Sequence, residues 1–501
     1  MELRRELGSD VARPVTDQAL NPPLAAAASL LRLPIALAAV VYVLMAVSGA
    51  KLLNDPDTCW HLVVGQWILQ HGAVPHADMF SHTFLGQPWI AKEWLSQVLY
   101  AGAYAAAGWT GIVVLACVAI AAAFALLAHC LLERLAFIPA LVLVTAALVL
   151  TAPHLVARPH VLALPIMVAW VAGLVRATDE GRAPSPLLLP LMVLWANLHG
   201  GFTFGLALMA PIGLEAVWNA APAERKAMAL RWLGFALGAV LAACVTPYGP
   251  ESMLVTYRIL SLGDALSSIG EWRPQDFSRL DAFEAVLLLG LGFALYRGVR
   301  LPPLRILLFL GLLHMALSHV RNGELLGLLA PLVLAAPLAR QFGAAEPVVG
   351  GRARTDALAI AGMICGLAAA TFIKMPAFTP SAKITPAVAV QKLKELNRPV
   401  LNDYDLGGYL IFAGVAPFID GRTELYGEKF YMRYYRAVTL EDLDEFLRLL
   451  DEHAIGATLL TPSTPALKLL DRLPGWERVY ADDSAVLHRR ISAGPTTPVL
   501  R

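Results

Sequence analysis

The sequence predicts an α-helical polytopic membrane protein with about eleven transmembrane helices and a C-terminal soluble α/β domain. Hydrophobic residues make up 57% of the 501 residues and charged residues 15%, whereas a soluble protein carries about 25% charged residues. Apolar runs close to the length that crosses a bilayer recur between residues 30 and 373. After Thr379 these runs give way to short strand and helix patterns.

The transmembrane domain is predicted to cover residues 30–378, with a long first outer loop at 51–93 and an interfacial helix at 94–107. Residues 1–29 are too long and too acidic for the n-region of a signal peptide, so they are expected to stay in the cytoplasm. Residues 379–490 form the soluble domain on the outer face. Residues 491–501 are expected to be a disordered tail.

The predicted spanning helices are apolar runs of nearly 20 residues, fewer where the bundle shields them. They lie near 30–49, 110–133, 137–152, 158–176, 184–198, 201–218, 229–246, 281–297, 303–319, 323–339 and 355–373. The apolar stretch 94–107 is short and ends at Gly108-Trp109, which predicts an interfacial or re-entrant helix. A spanning helix there would reverse the direction of every later one.

Loop charges support this topology, because Lys and Arg near helix ends are retained on the cytoplasmic side. With an inside N-terminus, every predicted inside loop carries arginine. These inside residues are Arg4, Arg5, Arg13, Arg134, Arg176, Arg182, Arg225, Lys226, Arg231, Arg297, Arg300, Arg305, Arg340, Arg352 and Arg354. The outside turns are poor in lysine and rich in His, Asn, Glu and isolated Arg.

Polar residues on the predicted outer face collect beside the first outer loop. That loop contributes Asp55, Asp57, His61 and Glu93, and the other walls are turns at 154–160, 195–201, 269–274 and 319–322. Individually, such residues often cap helices or hydrogen-bond exposed turns. Together they predict an outer-face cavity, since charges at membrane depth are costly unless they face a cavity or one another.

The stretch 250–280 is amphipathic and is predicted to lie in the interface, where it would roof this cavity. In the C-terminal domain, helices are expected at 384–395, from Gly407 and at 440–453. Strands are expected at 399–402, 417–420 and 457–460, with a closing hairpin over 476–489. We interpret Asp420-Gly421-Arg422 as a turn with a solvated arginine; binding of an anionic acceptor is the alternative.

The pair Asp55-Pro56-Asp57 is the strongest candidate for chemistry. Proline favours an extended chain before it, so we expect the two carboxylates to point the same way. They would then bind a divalent cation together, or one would act as a base while the other orients an acceptor. A turn begun by Asp-Pro is the structural alternative.

This arrangement resembles the GT-C glycosyltransferases, which include the dolichyl-phosphate-mannose protein mannosyltransferases and the lipid A aminoarabinose transferase. The resemblance covers the layout of residues 25–375. It depends on D-P-D in the first outer loop, the following G-Q-W-I-L-Q-H-G-A-V-P-H-A-D and A-R-P-H at 157–160. The chain also resembles uncharacterised bacterial membrane proteins that carry W-A-N-L-H-G-G, G-G-Y-L-I and F-I-D-G-R. It departs from the mannosyltransferases in lacking their Arg-x-Asp-Glu pattern and a second acidic pair.

The resemblance implies that a sugar moves from a polyprenyl-phosphate or diphosphate donor to a glycan, lipid or protein acceptor, outside a bacterial inner membrane. Asp55 or Asp57 would be the base of an inverting displacement, with Asp55 slightly favoured. Arg158 and Arg321 would bind the leaving phosphate. Other implied substrate-binding residues are His61, Glu93, His160, Asn197, His199 and Glu271. A divalent cation stays possible, with Asp55, Asp57 and His199 as its candidate ligands.

Two other functions use the same features: a transporter or flippase of lipid-linked saccharides, and a polymerase or ligase that joins whole lipid-linked glycans. Transporters usually place charges near the bilayer midplane and contain internal repeats, which disfavours the first. The net charge of +1 gives no support to nucleic-acid binding. No H-E-x-x-H or G-x-G-x-x-G occurs, and the five cysteines imply no disulfide framework.

Overall fold

The computed structural model of this chain describes residues 24–343, 353–374 and 377–491. Most of the predicted N-terminal segment (1–29) and nearly all of the predicted tail (491–501) lie outside these ranges. So do Arg4, Arg5, Arg13 and Arg352 of the predicted inside loops.

The described part of the chain is mainly helical, and its four strands all lie in the C-terminal region. The helices up to residue 374 are α1 (Leu24–Val47), α2 (Gly49–Leu52), α3 (Asp57–His71), α4 (Trp94–Leu132), α5 (Phe137–Thr151), α6 (Pro159–Asp179), α7 (Leu189–Leu198), α8 (Phe202–Ala207), α9 (Met209–Asn219), α10 (Arg225–Ala243), α11 (Glu251–Leu260), α12 (Asp264–Ser268), α13 (Ala282–Arg297), α14 (Pro303–Ser318), α15 (Gly323–Phe342) and α16 (Ala353–Lys374). The C-terminal helices are α17 (Ala387–Leu396), α18 (Gly407–Phe412), α19 (Thr423–Val438), α20 (Leu443–Glu452) and α21 (Ala466–Leu470). Short 3₁₀ turns occur at Ala152–His154, Pro186–Leu188, Gly270–Trp272, Val320–Asn322 and Tyr404–Leu406.

Within the described residues, six helical segments are long and apolar enough to cross a membrane. They are Trp94–Leu132, Phe137–His154, Pro159–Asp179, Phe202–Asn219, Arg225–Ala243 and Val320–Phe342. Three further apolar helical segments are shorter, at Pro34–Val47, Pro186–Leu198 and Pro303–Ser318. The chain therefore has the character of a helical membrane-embedded protein, and each predicted apolar run contains a helix.

The helix α4 is central, and it packs against α1, α3 and α6. It is broken at Ala107 and Gly108, whose backbone angles are not helical, with Gly108 at φ 59°. The break falls where the sequence predicted the end of a separate helix. We call residues 94–106 the α4 arm. Gly65 of α3 lies against the Gln97 carbonyl of this arm, where a Cβ would overlap the carbonyl oxygen.

A buried ion-pair network lies at the far end of α6 from the predicted cavity. Arg305 of α14 is 1% exposed and donates to Glu215 of α9 at 2.6 Å and to Asp179 of α6 at 2.7 Å. Arg134 also pairs with Asp179, at 3.0 Å. Arg305, predicted to lie in an inside loop, is therefore a buried and paired residue of α14. Buried charges need such partners, because removing them from water is costly.

The C-terminal region forms a four-stranded sheet in the order β1 (Val400–Asn402), β2 (Ala457–Leu460), β4 (Val486–Arg490), β3 (Trp476–Ala481). The strands β1 and β2 are parallel, and β4 is antiparallel to both β2 and β3. The predicted hairpin is present as β3 and β4. We call residues 387–491, with this sheet and its helices, the C-terminal module.

The predicted strand at 417–420 is wrong. This segment lies outside the sheet, and its backbone is bonded to the Asn402 side chain instead of to a neighbouring strand. The Phe418 N–H donates to Asn402 Oδ1 at 2.7 Å, and Asn402 Nδ2 donates to the Ile419 carbonyl at 2.8 Å. The helix α19 directly after it was not predicted.

The C-terminal module docks on residues 51–93, the predicted first outer loop. His82 N–H donates to the Pro417 carbonyl at 3.1 Å, and Thr83 Oγ1 donates to the Phe418 carbonyl at 2.7 Å. The prediction of a solvated Arg422 is wrong, because this side chain is fully buried between Asp420 and Asp78 of the loop. The first outer loop and the C-terminal module, which are far apart in the sequence, thus share one buried charge cluster.

Candidate active site

A cavity of about 950 Å³ lies where the first outer loop, the membrane helices and the C-terminal module meet. The turns predicted to share a face do line it, together with the amphipathic stretch after residue 250. Its polar lining residues include Asp55, Asp57, His61, Lys92, Glu93, His154, Arg158, His160, His199, Thr256, Glu271, His319, Arg321, Glu324, Tyr404, Asp405, Thr423 and Glu424.

Arg158 is the centre of the ionised part of this cavity. Its guanidinium pairs with Asp57, reaches Asp55 Oδ2 at 3.3 Å through Nε, and reaches Glu271 Oε2 at 2.8 Å through Nη1. Burial alone would lower the pKa of Arg158, but the three carboxylates outweigh burial and hold its pKa well above the ordinary value. Arg158 is therefore a permanent cation.

The A-R-P sequence is held in place by backbone contacts. Pro159 begins α6, where its missing N–H costs no helical hydrogen bond. Thr58 Oγ1 donates to the Ala157 carbonyl at 2.9 Å, and Tyr100 Oη donates to the Arg158 carbonyl at 2.8 Å. These bonds fix the Arg158 backbone against α3 and the α4 arm.

Asp55 and Asp57 converge on Arg158, but not through the extended chain that the sequence suggested. Pro56 has helical angles, with φ −63° and ψ −27°, and Asp57 is the first residue of α3. The Asp57 N–H donates to Asp55 Oδ1 at 2.8 Å, and Trp60 Nε1 donates to Asp57 Oδ1 at 2.9 Å. Burial raises the pKa of Asp55 to about 7, against the opposing effect of Arg158.

Glu271 bridges the two arginines. Its Oε2 accepts from Arg158 at 2.8 Å and its Oε1 accepts from Arg321 at 2.9 Å. The Arg321 guanidinium also lies 4.6 Å from the centre of the Trp272 ring. Burial favours the neutral acid, but Arg158 and Arg321 outweigh it and hold the pKa of Glu271 at about 2.

Glu93 lies between two histidines in the same cavity. His199 Nε2 is 3.5 Å from Glu93 Oε1, and His61 Nε2 is 3.8 Å from Glu93 Oε2. Burial is the main cause that raises the pKa of Glu93 and lowers the pKa of both imidazoles. The histidines are therefore neutral at pH 7, and this group is less charged than the cluster around Arg158.

Two other predicted site residues have structural partners. His160 Nε2 is 3.1 Å from the His154 carbonyl oxygen, and its ring centre is 6.1 Å from that of His199. Asn197 is buried, donates to the Val193 and Val245 carbonyls at 2.7 and 2.8 Å, and accepts from Trp94 at 2.7 Å. His160 faces the cavity, whereas the Asn197 amide is used to join α7 to the α4 arm.

The candidate metal ligands do not come together. Asp55 and Asp57 share Arg158, while His199 pairs with Glu93. Over residues 24–343, 353–374 and 377–491, no group of three or more His, Cys, Asp or Glu is arranged to hold a metal ion. The donor set found here does not fit a metal centre.

The C-terminal module supplies a wall that sequence reasoning missed. Lys92 pairs with Glu424 at 3.0 Å, and Tyr404 Oη is 2.6 Å from Thr423 Oγ1. Gly421 lies against Asp57, where a Cβ would overlap the carboxylate. The motif F-I-D-G-R was the available signal, because its glycine makes this close approach possible.

The fold and site together define a membrane-embedded helical protein with a cavity built around two arginines and three carboxylates. No family model matches the chain. No curated protein matches it either.

Proposed function

We propose that the protein is an integral-membrane glycosyltransferase of the GT-C type. It would move a sugar from a polyprenyl-phosphate or diphosphate donor to an acceptor hydroxyl on the outer face of a bacterial inner membrane, with inversion. About eleven membrane crossings and an outer C-terminal module are part of this proposal. The observation that carries it is the cavity in which Arg158 pairs with Asp55, Asp57 and Glu271, next to Arg321.

The base is Asp55. Its buried carboxyl has a pKa of about 7, close to the value that suits a general base at neutral pH. In the proposed step, Asp55 accepts the proton of the acceptor hydroxyl while the hydroxyl oxygen attacks the anomeric carbon. The bond from that carbon to the phosphate oxygen breaks, and the phosphate leaves with the electron pair.

The leaving phosphate is assigned to Arg158 and Arg321. A guanidinium matches phosphate oxygens with paired N–H donors and keeps its charge throughout the reaction. Both arginines face the cavity and share one anionic partner, Glu271. Two fixed cations at this position would stabilise the charge that develops on the phosphate.

The shape and lining of the cavity suit a lipid-linked sugar. A volume of about 950 Å³ is at the upper end of the usual range for ligand pockets, about 300–1,000 Å³. Ala163, Leu164 and Met167 of α6 line it beside the charged groups. The donor isoprenoid would lie among such apolar side chains, with its phosphate at the arginines and its sugar below the C-terminal module.

The test is transfer of a labelled sugar by the purified protein in membranes. The donors are synthetic polyprenyl phosphates that each carry one labelled hexose or pentose, presented with glycan, lipid and peptide acceptors. Asp55→Asn is expected to abolish transfer, and Asp276→Asn, at an exposed position outside the cavity lining, is the matched control.

The other outcomes would reassign the base or indicate a different function. Full activity in Asp55→Asn together with loss in Asp57→Asn would move the base to Asp57. Activity in both would remove the catalytic proposal. Movement of the uncleaved donor across the bilayer would indicate a flippase, and transfer of only an intact lipid-linked oligosaccharide would indicate a ligase or polymerase.

A further inference from the structure

The three carboxylates around Arg158 differ in their exposure and in their hydrogen-bond donors. The side chains of Asp55 and Asp57 are 9% and 12% exposed, whereas that of Glu271 is 29% exposed. Asp55 also accepts the Asp57 N–H, and Asp57 also accepts the Trp60 N–H. Among the described residues, the hydrogen bonds of the Glu271 carboxylate come from Arg158 and Arg321 alone. Glu271 is therefore the most exposed of the three carboxylates, and an anion that replaced its two ion pairs would release it.

Both arginines keep other partners without Glu271. Arg158 retains Asp55 and Asp57, and its carbonyl is fixed by Tyr100. Arg321 retains its cation–π contact with the Trp272 ring. The Val320 N–H beside it donates to the Arg273 carbonyl at 2.9 Å. Removal of Glu271 thus leaves two neighbouring guanidinium groups in place.

We propose that Glu271 occupies the anion site in which the donor phosphate binds, and that phosphate binding displaces it. This inference rests on the proposed function, since it assigns the phosphate of that donor to this position. The two Glu271 oxygens bridge the two guanidinium groups as two oxygens of a phosphate would. A carboxylate tethered at the site competes with any free anion of similar geometry.

The exchange has a consequence for the sugar. While Glu271 pairs with both arginines, its negative charge offsets theirs. Both oxygens of its carboxylate are then occupied. Once phosphate replaces it, the carboxylate is free within the cavity and can accept a hydrogen bond from a sugar hydroxyl. The residue would thus bind sugar only after the phosphate is seated, which couples recognition of the two parts of the donor.

The experiment measures binding of three probes to the purified full chain in detergent: a short-chain polyprenyl phosphate, inorganic phosphate and the uncharged polyprenol. Glu271→Gln is expected to bind both phosphates about tenfold more tightly, because the site is then open in most molecules. The affinity for polyprenol should stay unchanged. Asp276→Asn removes an exposed carboxylate outside the cavity lining, and it should bind all probes as the wild type does.

The decisive contrary result is a Glu271→Gln protein that binds the phosphates no more tightly than the wild type. Equal tightening for the polyprenol would also overturn the inference, because the gain would then not depend on an anion. Arg321→Gln, introduced into Glu271→Gln, should remove the gain. If the double variant bound phosphate as tightly as Glu271→Gln does, the anion site would lie elsewhere.

Two controls keep these results interpretable. Each variant is compared by thermal unfolding and size-exclusion chromatography, and Glu271→Asp, which retains a carboxylate too short to bridge both arginines, should give an intermediate affinity. The sugar-transfer assay separates this inference from the proposed function. If Glu271→Gln binds phosphate more tightly but the wild type transfers no sugar, the proposed glycosyltransferase function is overturned. If the wild type transfers sugar but substitutions at residue 271 do not change phosphate binding, only the displacement of Glu271 by phosphate is overturned.

Discussion

Asp55 and Asp57 have different surroundings although they are two residues apart. Asp57 starts α3, so its carboxylate lies at the positive end of a helix and accepts from Trp60 as well as pairing with Arg158. Asp55 is 7% exposed and shares the same arginine with Asp57 and Glu271. Burial and two neighbouring carboxylates favour the protonated form of Asp55, and its pKa rises to about 7. Asp55 is therefore a carboxyl whose protonation changes near neutral pH.

This difference predicts a pH dependence of sugar transfer. The charged groups that act on Asp55 are Arg158, Asp57 and Glu271, and a base must lose its proton to act. Because the pKa of Asp55 is raised to about 7, kcat/KM should fall about tenfold per pH unit below about 7 and level off above it. The measurement is kcat/KM from pH 5 to 8.5 at constant ionic strength.

A kcat/KM that does not change between pH 5.5 and 8 would contradict this assignment. Glu271 serves as the internal comparison, because Arg158 and Arg321 hold its pKa at about 2 and it stays ionised over the whole range. Because the Glu271 charge also helps to raise the pKa of Asp55, a Glu271→Gln variant should keep an acidic limb, but at lower pH than the wild type.

At the residue scale, the sequence identified groups but not their pairing. The acidic pair, Arg158 and Arg321 were recognisable as unusual polar residues beside apolar runs. The bond from Arg158 to Glu271 spans 113 positions and depends on tertiary packing. No local pattern encodes it. The conformation of Pro56 was misjudged because the fixed φ of proline suits the start of a helix as well as an extended chain, and α3 begins directly after it.

The broken helix α4 is the element that positions this site. Its arm carries Tyr100, which bonds the Arg158 backbone, and follows directly after Glu93. The arm and the long segment after Trp109 approach closely, since a Cβ on Gly111 would overlap the Ala103 carbonyl oxygen. The break therefore depends on a glycine at position 111 as well as on the left-handed angle of Gly108.

We expect Gly111→Ala to destabilise the protein by about 1–3 kcal/mol, because the two parts of α4 must move apart to accommodate the methyl group. Gly102→Ala is the matched control, since it lies in the arm and a Cβ there meets open space. Alanine at that helical position should be neutral or stabilising by up to about 1 kcal/mol. Thermal and denaturant unfolding in the same detergent measure both changes. Equal effects of the two substitutions would show that the close approach at Gly111 carries no energetic weight.

Element prediction succeeded where the signal was a long apolar run or a strong local pattern. The apolar runs, the break near Gly108 and the hairpin of β3 and β4 were all readable in this way. It failed at 417–420, where a short apolar run looks like a strand but its backbone bonds to the Asn402 side chain. It also missed α19, whose helical run is interrupted at Gly427 and whose buried face consists mainly of tyrosines.

At the scale of the whole molecule, the C-terminal module closes the cavity over the first outer loop. Gly408 lies against the Pro56 carbonyl and Gly421 against the Asp57 carboxylate, so the module touches the second and third residues of Asp55-Pro56-Asp57. The interface also contains Arg422, whose guanidinium pairs with Asp78 and Asp420 at 2.6 and 2.7 Å. The central carbon of the Arg422 guanidinium lies 4.9 Å from the centre of the Trp89 ring. Docking and site geometry are therefore coupled through residues 420–422.

Arg422→Met should weaken this docking strongly. The substitution leaves the carboxylates of Asp78 and Asp420 buried without their cation, and breaking a buried pair in this way costs about 3–5 kcal/mol. Arg433→Met is the matched control on the adjacent helix α19, because Arg433 pairs with Glu445 and Glu452 while a third of its side chain is exposed. Exposed pairs are worth about 0–1 kcal/mol.

The measurements are the free energy of unfolding and the rate at which a protease cleaves the first outer loop near Leu85, which is 66% exposed. Arg422→Met should unfold at lower denaturant, lose the protection of the loop around Asp78, and lose sugar transfer, since Gly421 can no longer hold Asp57 in place. Arg433→Met should retain all three properties. If both variants behaved alike, the buried charge cluster would not be what fastens the module to the loop, and the coupling of docking to the acidic pair would have to come from the contacts of Gly408 and α18 with α3.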